Sequence, residues 1–284
     1  MNELRSQLDS SINFVEKHLE GFIETRYVRR ANDYFNCYLS SQSGCNKGCR
    51  FCHLTATGQT KSDDIDLEGF MEQAVAVFSH YEKEAQPAKK VHYSFMARGE
   101  PLANKFMLEE GDEILRSLAV YADHHNLYPK FNISTIMPKT LDKPLSAVFR
   151  LMQPTIYYSI YSVNPEFRKR WIPAAMDAND ALIRLREYQE ASKKIVKLHF
   201  AFIKGQNDSD EDVGKLCEAV ARQKLMVEFN IVRYNPFSPE QGIESDEETV
   251  QHNAEAIRIA LECPVKVIQR VGFDVKASCG MFVR

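Results

Sequence analysis

GCNKGCRFCH, residues 44–53, is the stretch from which the rest of this chain is read. Cys45, Cys49 and Cys52 form a C-x3-C-x2-C array, with Phe51 just before the third cysteine. Three thiolates on one short loop hold three irons of a [4Fe–4S] cubane and leave the fourth iron open to a small molecule. The competing reading is a zinc knuckle. Zinc, however, takes four ligands, usually as two spaced pairs, and His53 is too close in sequence to Cys52 to complete such a set. Ligand number and spacing favour the cluster.

The 284 residues suffice for one large α/β domain or two small ones. Composition is that of an ordinary globular chain, 44% hydrophobic and 26% charged. A formal net charge of −3 supplies no global basic field for nucleic acid, so any such contact must come from a local patch. No apolar run is long enough for a membrane span, and MNELRSQLDS does not resemble a secretory signal. Seven cysteines without an even framework point to a reducing compartment and to metal or catalytic use; a cytoplasmic location is expected.

Residues 4–23 carry Leu8, Ile12, Val15 and Leu19 at largely helical spacing and predict one amphipathic helix. FIETRYVRR (22–30) and YFNCYLSS (34–41) predict strands, the second running into the cysteine loop. Further strands are expected at 91–96, 130–135, 155–161, 196–202 and 226–234, and a last one ending at Val271. Helices are expected at 66–85, 109–122, 145–152, 179–191, 210–222 and 247–261. Alternating βα units favour a parallel sheet, either a barrel or an open doubly wound sheet; periodicity does not separate the two. Ligands of such folds bind at the carboxyl ends of the strands. Arg98-Gly99-Glu100, Ser134, Ser159, Tyr161 and Asn235 all fall at strand ends, which favours an enzyme.

Seven segments, SSQSG (40–44), the cysteine loop, MARGEPL (96–102), ISTIMP (133–138), SIYSVNPEFRKRWIP (159–173), YNPF (234–237) and SCGMF (278–282), occur in an order and spacing that resembles the RlmN/Cfr family of radical S-adenosylmethionine (SAM) enzymes. The likeness runs from about Phe22 to the C-terminus. It implies a partial (β/α)6 radical-SAM barrel over 37–284, behind a short N-terminal helix/strand extension over 1–36. It implies methylation of an adenine ring carbon of RNA, ribosomal or transfer, at carbon 2 or carbon 8. The implied cofactors are a [4Fe–4S] cluster on Cys45, Cys49 and Cys52, and SAM. Gly99 and Glu100 would hold the SAM amino group, and Ser134, Ser159, Tyr161 and Asn235 the rest of it. Cys279 would be the methyl carrier. Its thiolate takes a methyl group from one SAM, and the carbon derived from that methyl adds to the adenine ring after a second SAM is cleaved at the cluster. The covalent protein–RNA link is then resolved by a second cysteine, which implies a disulfide bond.

Cys37 is the candidate resolver, but it lies eight residues before Cys45 where the family has seven. Strict alignment on the cluster loop puts Tyr38 there, and the other reading of Cys37 is a core strand cysteine. Glu24-Thr25-x-Tyr27 stands at the family spacing from Cys37, so a one-residue bulge between Cys37 and Ser40 would reconcile both ends. Glu24 then matches a candidate general base, its bland alternative being a solvated strand carboxylate. Tyr161 replaces a family histidine, and the N-terminal extension is shorter than the RNA-binding domain of typical members. RNA contacts would come from Arg26, Arg29, Arg30, Lys89, Lys90 and Arg168–Arg170, with Phe167, Trp171 or Tyr161 stacking on a flipped base. The expected partners are a structured RNA with an accessible adenine and an electron donor such as flavodoxin or ferredoxin. No membrane contact is expected, and the chain is read as a monomer. The alternatives are a radical-SAM enzyme acting on a small molecule or peptide, and an inactive Fe–S RNA-binding homologue.

Overall fold

The structure is a computed structural model that describes residues 1–283. One ten-stranded sheet runs through it in sequential order. The first four strands are β1 (Asn2–Arg5), β2 (Ile12–His18), β3 (Gly21–Ala31) and β4 (Tyr34–Tyr38), paired antiparallel. After the cysteine loop and the turn α1 (His53–Ala56) comes α2 (Leu67–Tyr81). Alternation then sets in: β5 (Lys90–Phe95), α3 (Lys105–His124), β6 (Tyr128–Thr135), α4 (Leu145–Val148) and β7 (Thr155–Tyr158). It continues with α5 (Pro165–Trp171), α6 (Ala178–Ser192), β8 (Val196–Phe200), α7 (Asp210–Arg222), β9 (Val227–Val232), α8 (Glu247–Leu261) and β10 (Val265–Ile268). Strands β4 to β10 are all parallel, each paired with the next. This is a partial barrel, with β1–β3 added at its β4 edge. Across the gap to β10, Arg30 Nη1 donates to the Gln269 carbonyl at 3.3 Å.

The helices start where the sequence supplies caps. The Asp66 side chain accepts from Gly69 N, Ser209 from Asp212 N and Asp246 from Thr249 N, each satisfying an orphan donor of a first turn. Their apolar faces cover the outside of the sheet, where Phe35, Phe78, Tyr93 and Phe95 are fully buried. The other strand face turns inward, and its residues differ in kind. Along β8, Val196, Leu198 and Phe200 are buried in the outer core, whereas Lys197 and His199 line the lumen. That is the period-two alternation of a strand between an apolar layer and a polar cavity.

The N-terminal helix is not formed. Ile12 and Phe14 are 3% exposed and point to the same face of β2, so the segment obeys period two rather than 3.6. Leu8 and Leu19, which completed the helical pattern, are each 70% exposed. Leu19 has φ 46° in the tight turn between His18 and Gly21. The β-irregularity expected between Cys37 and Ser40 lies elsewhere, in the β3–β4 pairing between Val28 and Ala31.

Candidate active site

A cavity of about 400 Å³ occupies the barrel lumen and its carboxyl-end mouth, and the cysteine loop forms part of its wall. Gly48, with φ 68°, turns the loop between the first two cysteines. Backbone bonds fix it at both ends: Cys45 N donates to Gln59 O at 3.1 Å, and Arg50 N to Trp171 O at 2.9 Å. The Phe51 ring stacks on Tyr161, centroids 4.1 Å apart.

All three loop thiols border the cavity. Burial and the charges of its neighbours hold Cys45 up at about 12, and burial holds Cys52 at about 11; Cys49 is pushed well above its ordinary value by burial and by the other two. Three mutually repelling, desolvated thiols become thiolates when a strongly electropositive group sits among them, which is what an iron–sulfur cluster provides. Three cysteines on one loop, all bordering the same cavity, are a donor set that suits a cluster.

Glu100 lies at the mouth beyond β5, 4% exposed. Its carboxylate accepts from Ile136 N at 3.0 Å and Leu102 N at 3.1 Å, while burial raises its pKa. A buried carboxylate of this kind gains from an added ammonium partner. The preceding Gly99 has φ 91°, and a Cβ there would lie 2.6 Å from Ser41 Oγ. Only glycine lets the GEP turn close on the cysteine-loop strand. Ser134, Ser159 and Tyr161 also line the cavity, as expected. Asn235 lines it too, but its amide is already engaged. Nδ2 donates to the Arg233 and Cys279 carbonyls (3.2 and 3.0 Å), and Oδ1 accepts from Arg270 Nε at 2.6 Å. Its evident work is to hold the Cys279 backbone.

Cys279 lies in the C-terminal tail, which crosses the cavity. Its Sγ is 3.9 Å from His199 Nε2, and the residue remains exposed within the cavity mouth. His199 itself is driven down to about 4 by burial and nearby cations. The tail is tied down from within the N-terminal strands. Arg26 donates to the carbonyls of Ala277 (3.1 Å) and Met281 (2.7 Å), and Arg98 Nη2 to that of Val283 (2.7 Å). Val283 N in turn donates to Glu24 Oε1 at 3.0 Å.

Glu24 therefore does not have the freedom of a general base. It is fully buried, 2.7 Å from Arg98 and 3.3 Å from Arg26, with Asn13 as a further donor, and it does not line the cavity. A carboxylate whose oxygens are occupied by two guanidinium groups, an amide and a backbone N–H, away from the cavity, serves as an anchor.

Cys37 is likewise not brought to Cys279. It is fully buried on the outer face of β4, in the core that contains Tyr93 and Phe78, whereas Tyr34, Asn36 and Tyr38 face the lumen. Cys37 and Tyr38 are regularly paired with β3 and β5, and alternation along the strand gives Tyr38 the inward position. All seven cysteines are free thiols, so the expected disulfide is absent from the described residues.

Several expected RNA contacts are also internal. Arg26 is 3% and Arg168 5% exposed, and Arg168 donates to the carbonyls of Ile160, Ser162 and Met176. Arg29 pairs with Glu84 at 2.8 Å, and Lys90 with Asp33 at 3.0 Å. Trp171 and Phe167 stack on one another in the core and offer no platform to a base; of the three aromatics only Tyr161 reaches the cavity. Arg30, Lys89, Lys169 and Arg170 remain exposed. The sequence reading missed His199 and Asn230, which line the cavity. The alternation in VKLHFAF and in MVEFNIV carried the signal for both.

The family model described as the Radical SAM superfamily matches residues 39–217. A probable dual-specificity RNA methyltransferase RlmN of Shouchella clausii is 25% identical over 279 residues, covering 96% of this chain and 75% of its own. A dual-specificity RNA methyltransferase RlmN of Helicobacter hepaticus is 25% identical over 246 residues, 85% of this chain and 63% of its own. Among solved structures, a radical SAM methyltransferase from Sphaerobacter thermophilus superposes with TM-score 0.81 at 20% identity, over 99% of this chain and 80% of its own. That likeness confirms the fold over nearly the whole length.

Proposed function

This chain belongs to the radical SAM superfamily, and from that membership we propose that it methylates an adenine ring carbon of RNA, with Cys279 as the methyl carrier. The observation that carries the reading is the placement of Cys279 on the cavity wall shared with the three loop thiols, held there by Asn235, Arg26 and Arg98. The relatives named as RNA methyltransferases support the acceptor.

The residues present fit the cofactors of the superfamily, a [4Fe–4S] cluster and SAM. Cys45, Cys49 and Cys52 would hold the cluster, which supplies the electron that makes SAM a radical source. The Glu100 carboxylate would take the SAM ammonium, with Gly99 providing close backbone approach and Ser134 and Ser159 hydroxyls beside it. Tyr161, pinned on Phe51, closes one wall. The Cys279 thiol must lose its proton to accept a methyl group, and His199 Nε2 stands 3.9 Å from its sulfur. Carbons 2 and 8 of adenine are electron-poor sp2 centres, out of reach of a simple displacement and open to a carbon radical. An adenine reaches this lumen only when unpaired or flipped.

The test is mass spectrometry of the cluster-loaded protein after incubation with SAM. A methyl group on Cys279 is expected, and in Cys279→Ala methyl transfer should vanish while SAM cleavage continues. An unmodified Cys279 would overturn the reading. The internal positions of Arg26 and Arg168 favour a second possibility, a smaller acceptor in the same cavity. Methyl transfer to a mononucleotide in preference to an RNA oligonucleotide would select it.

A further inference from the structure

Among the described residues, Cys279 is the one cysteine outside the loop triad that lines the cavity. Cys37 faces the outer core, and Cys217 and Cys263 belong to it. The inward position on β4 is Tyr38, whose phenol cannot make a sulfur–sulfur bond. Addition of the carrier carbon to an adenine, with the ring hydrogen lost as a proton to water and one electron passing to the cluster that the loop cysteines would hold, leaves a Cys279–S–CH2–ring thioether, and opening that link at sulfur takes another thiolate. Resting on the reading of Cys279 as carrier, we propose that a free low-molecular-weight thiol bearing carboxylate and N–H groups enters the lumen and discharges the Cys279 adduct.

The lumen beside Cys279 is built for such a molecule. Lys197 and Lys266 share one carboxylate, Glu228, at 3.4 and 2.7 Å, which leaves a positive excess on that wall. A positive excess there suits carboxylates. Asn230, 7% exposed, has an Oδ1 without a partner, and His199 Nδ1 is buried and unpartnered as well. Native proteins seldom leave such atoms unsatisfied, and an amide oxygen takes an N–H donor. His199 carries its other nitrogen to the Cys279 sulfur, so a ligand held by these groups lies beside the bond to be broken. These features describe an amino-acid-derived thiol rather than a bare alkyl thiol.

The chemistry balances with two equivalents of that thiol. The first, as thiolate, attacks Cys279 Sγ and forms a mixed disulfide. The Sγ–CH2 electron pair passes to the methylene and the electron-poor ring, and a proton from water completes the methyl group. The second thiolate displaces Cys279 as thiolate and releases a symmetrical disulfide. Two thiols are oxidised to one disulfide, and their two electrons reduce methylene to methyl.

Cluster-loaded protein, SAM, dithionite and an adenine-containing RNA oligonucleotide are expected to give a covalent protein–RNA adduct that accumulates to one per chain. Glutathione should discharge it at least tenfold faster than uncharged mercaptoethanol at equal thiolate concentration, leaving glutathione on Cys279. In Tyr38→Cys, release should occur without added thiol and leave a disulfide between that position and Cys279. Continuous turnover without thiol, or equal rates with the two thiols, would overturn the inference. A readout that needs neither SAM nor RNA separates it from the carrier reading: oxidised glutathione should modify Cys279 of the resting cluster-loaded protein, and at least tenfold more slowly in Lys197→Ala. Cys279 that exchanges with glutathione but takes no methyl group sinks the carrier reading alone. Cys279 that takes a methyl group but shows no preference for glutathione sinks this inference alone.

Discussion

At the scale of single residues, neighbours one position apart do opposite work. Cys37 and Tyr38 differ only in strand parity, and parity decides that the thiol is packing and the phenol is site. Cys37→Ala should therefore lower stability by about 1 kcal/mol through the small void it leaves, with methyl transfer unchanged; an RNA adduct that accumulates only in that variant would return Cys37 to the mechanism. Glu24 is the opposite case, a carboxylate whose two guanidinium partners are buried with it. Breaking a buried pair from one side typically costs about 3–5 kcal/mol, so Glu24→Gln should show a loss of that order in urea unfolding, together with faster proteolysis of the C-terminal tail. His199 and His92 are both held down at about 4 by desolvation. Because the folded values lie below the ordinary one, the unfolded chain binds more protons between about pH 6.5 and 4. Stability should be complete above that window and fall as pH drops through it, less steeply in His199→Phe; a flat pH profile of the unfolding midpoint across the window would contradict these burials.

At the scale of elements, the turn after β5 couples the cofactor pocket to the cysteine loop. Gly99→Ala forces a Cβ into Ser41 and Gln42 and demands a left-handed conformation of a residue that resists it, a penalty of at least about 1–2 kcal/mol. SAM affinity, measured by calorimetry or equilibrium dialysis, should weaken about tenfold or more, while Gly205→Ala, at positive φ but with nothing near its Cβ, should leave SAM binding intact. Much of this level was legible in the sequence. Helices α7 and α8 begin and end where periodicity and the Ser209 and Asp246 caps put them. Glu100, Ser134, Ser159 and Tyr161 stand at the cavity because strand ends are readable from apolar runs. The N-terminus was not legible, since the helical pattern of Leu8, Ile12, Val15 and Leu19 included two leucines that the fold leaves exposed. Nor could sequence fix which side of β4 meets the lumen, because YFNCY is apolar or aromatic on both faces and carries no clear period-two signal. Charge runs such as Arg168–Arg170 suggested a surface; tertiary packing turned Arg168 inward as a donor to three carbonyls.

At the scale of the whole molecule, the first strands are part of the site rather than an appendage to it. Deletion of residues 1–31 removes Glu24 and Arg26 and should abolish both cooperative unfolding and the attachment of the tail, whereas deletion of residues 1–5, whose β1 pairs only with β2, should leave cluster absorbance unchanged. Far-ultraviolet circular dichroism and the visible spectrum of the loaded protein distinguish the two. The buried node at Glu24 also has a meaning for synthesis. Ribosomes deliver a chain from its amino end, so Glu24 and Arg26 emerge early, while their partners at Ala277, Met281 and Val283 follow 251 to 259 residues later. Until residues 277–283 are made, the barrel has neither the strap across its cavity nor the Cys279 thiol beside the cysteine loop. A nascent chain that has not reached them therefore lacks part of the cavity wall, whatever cofactors it has acquired, and synthesis of that one segment is the event that completes the site.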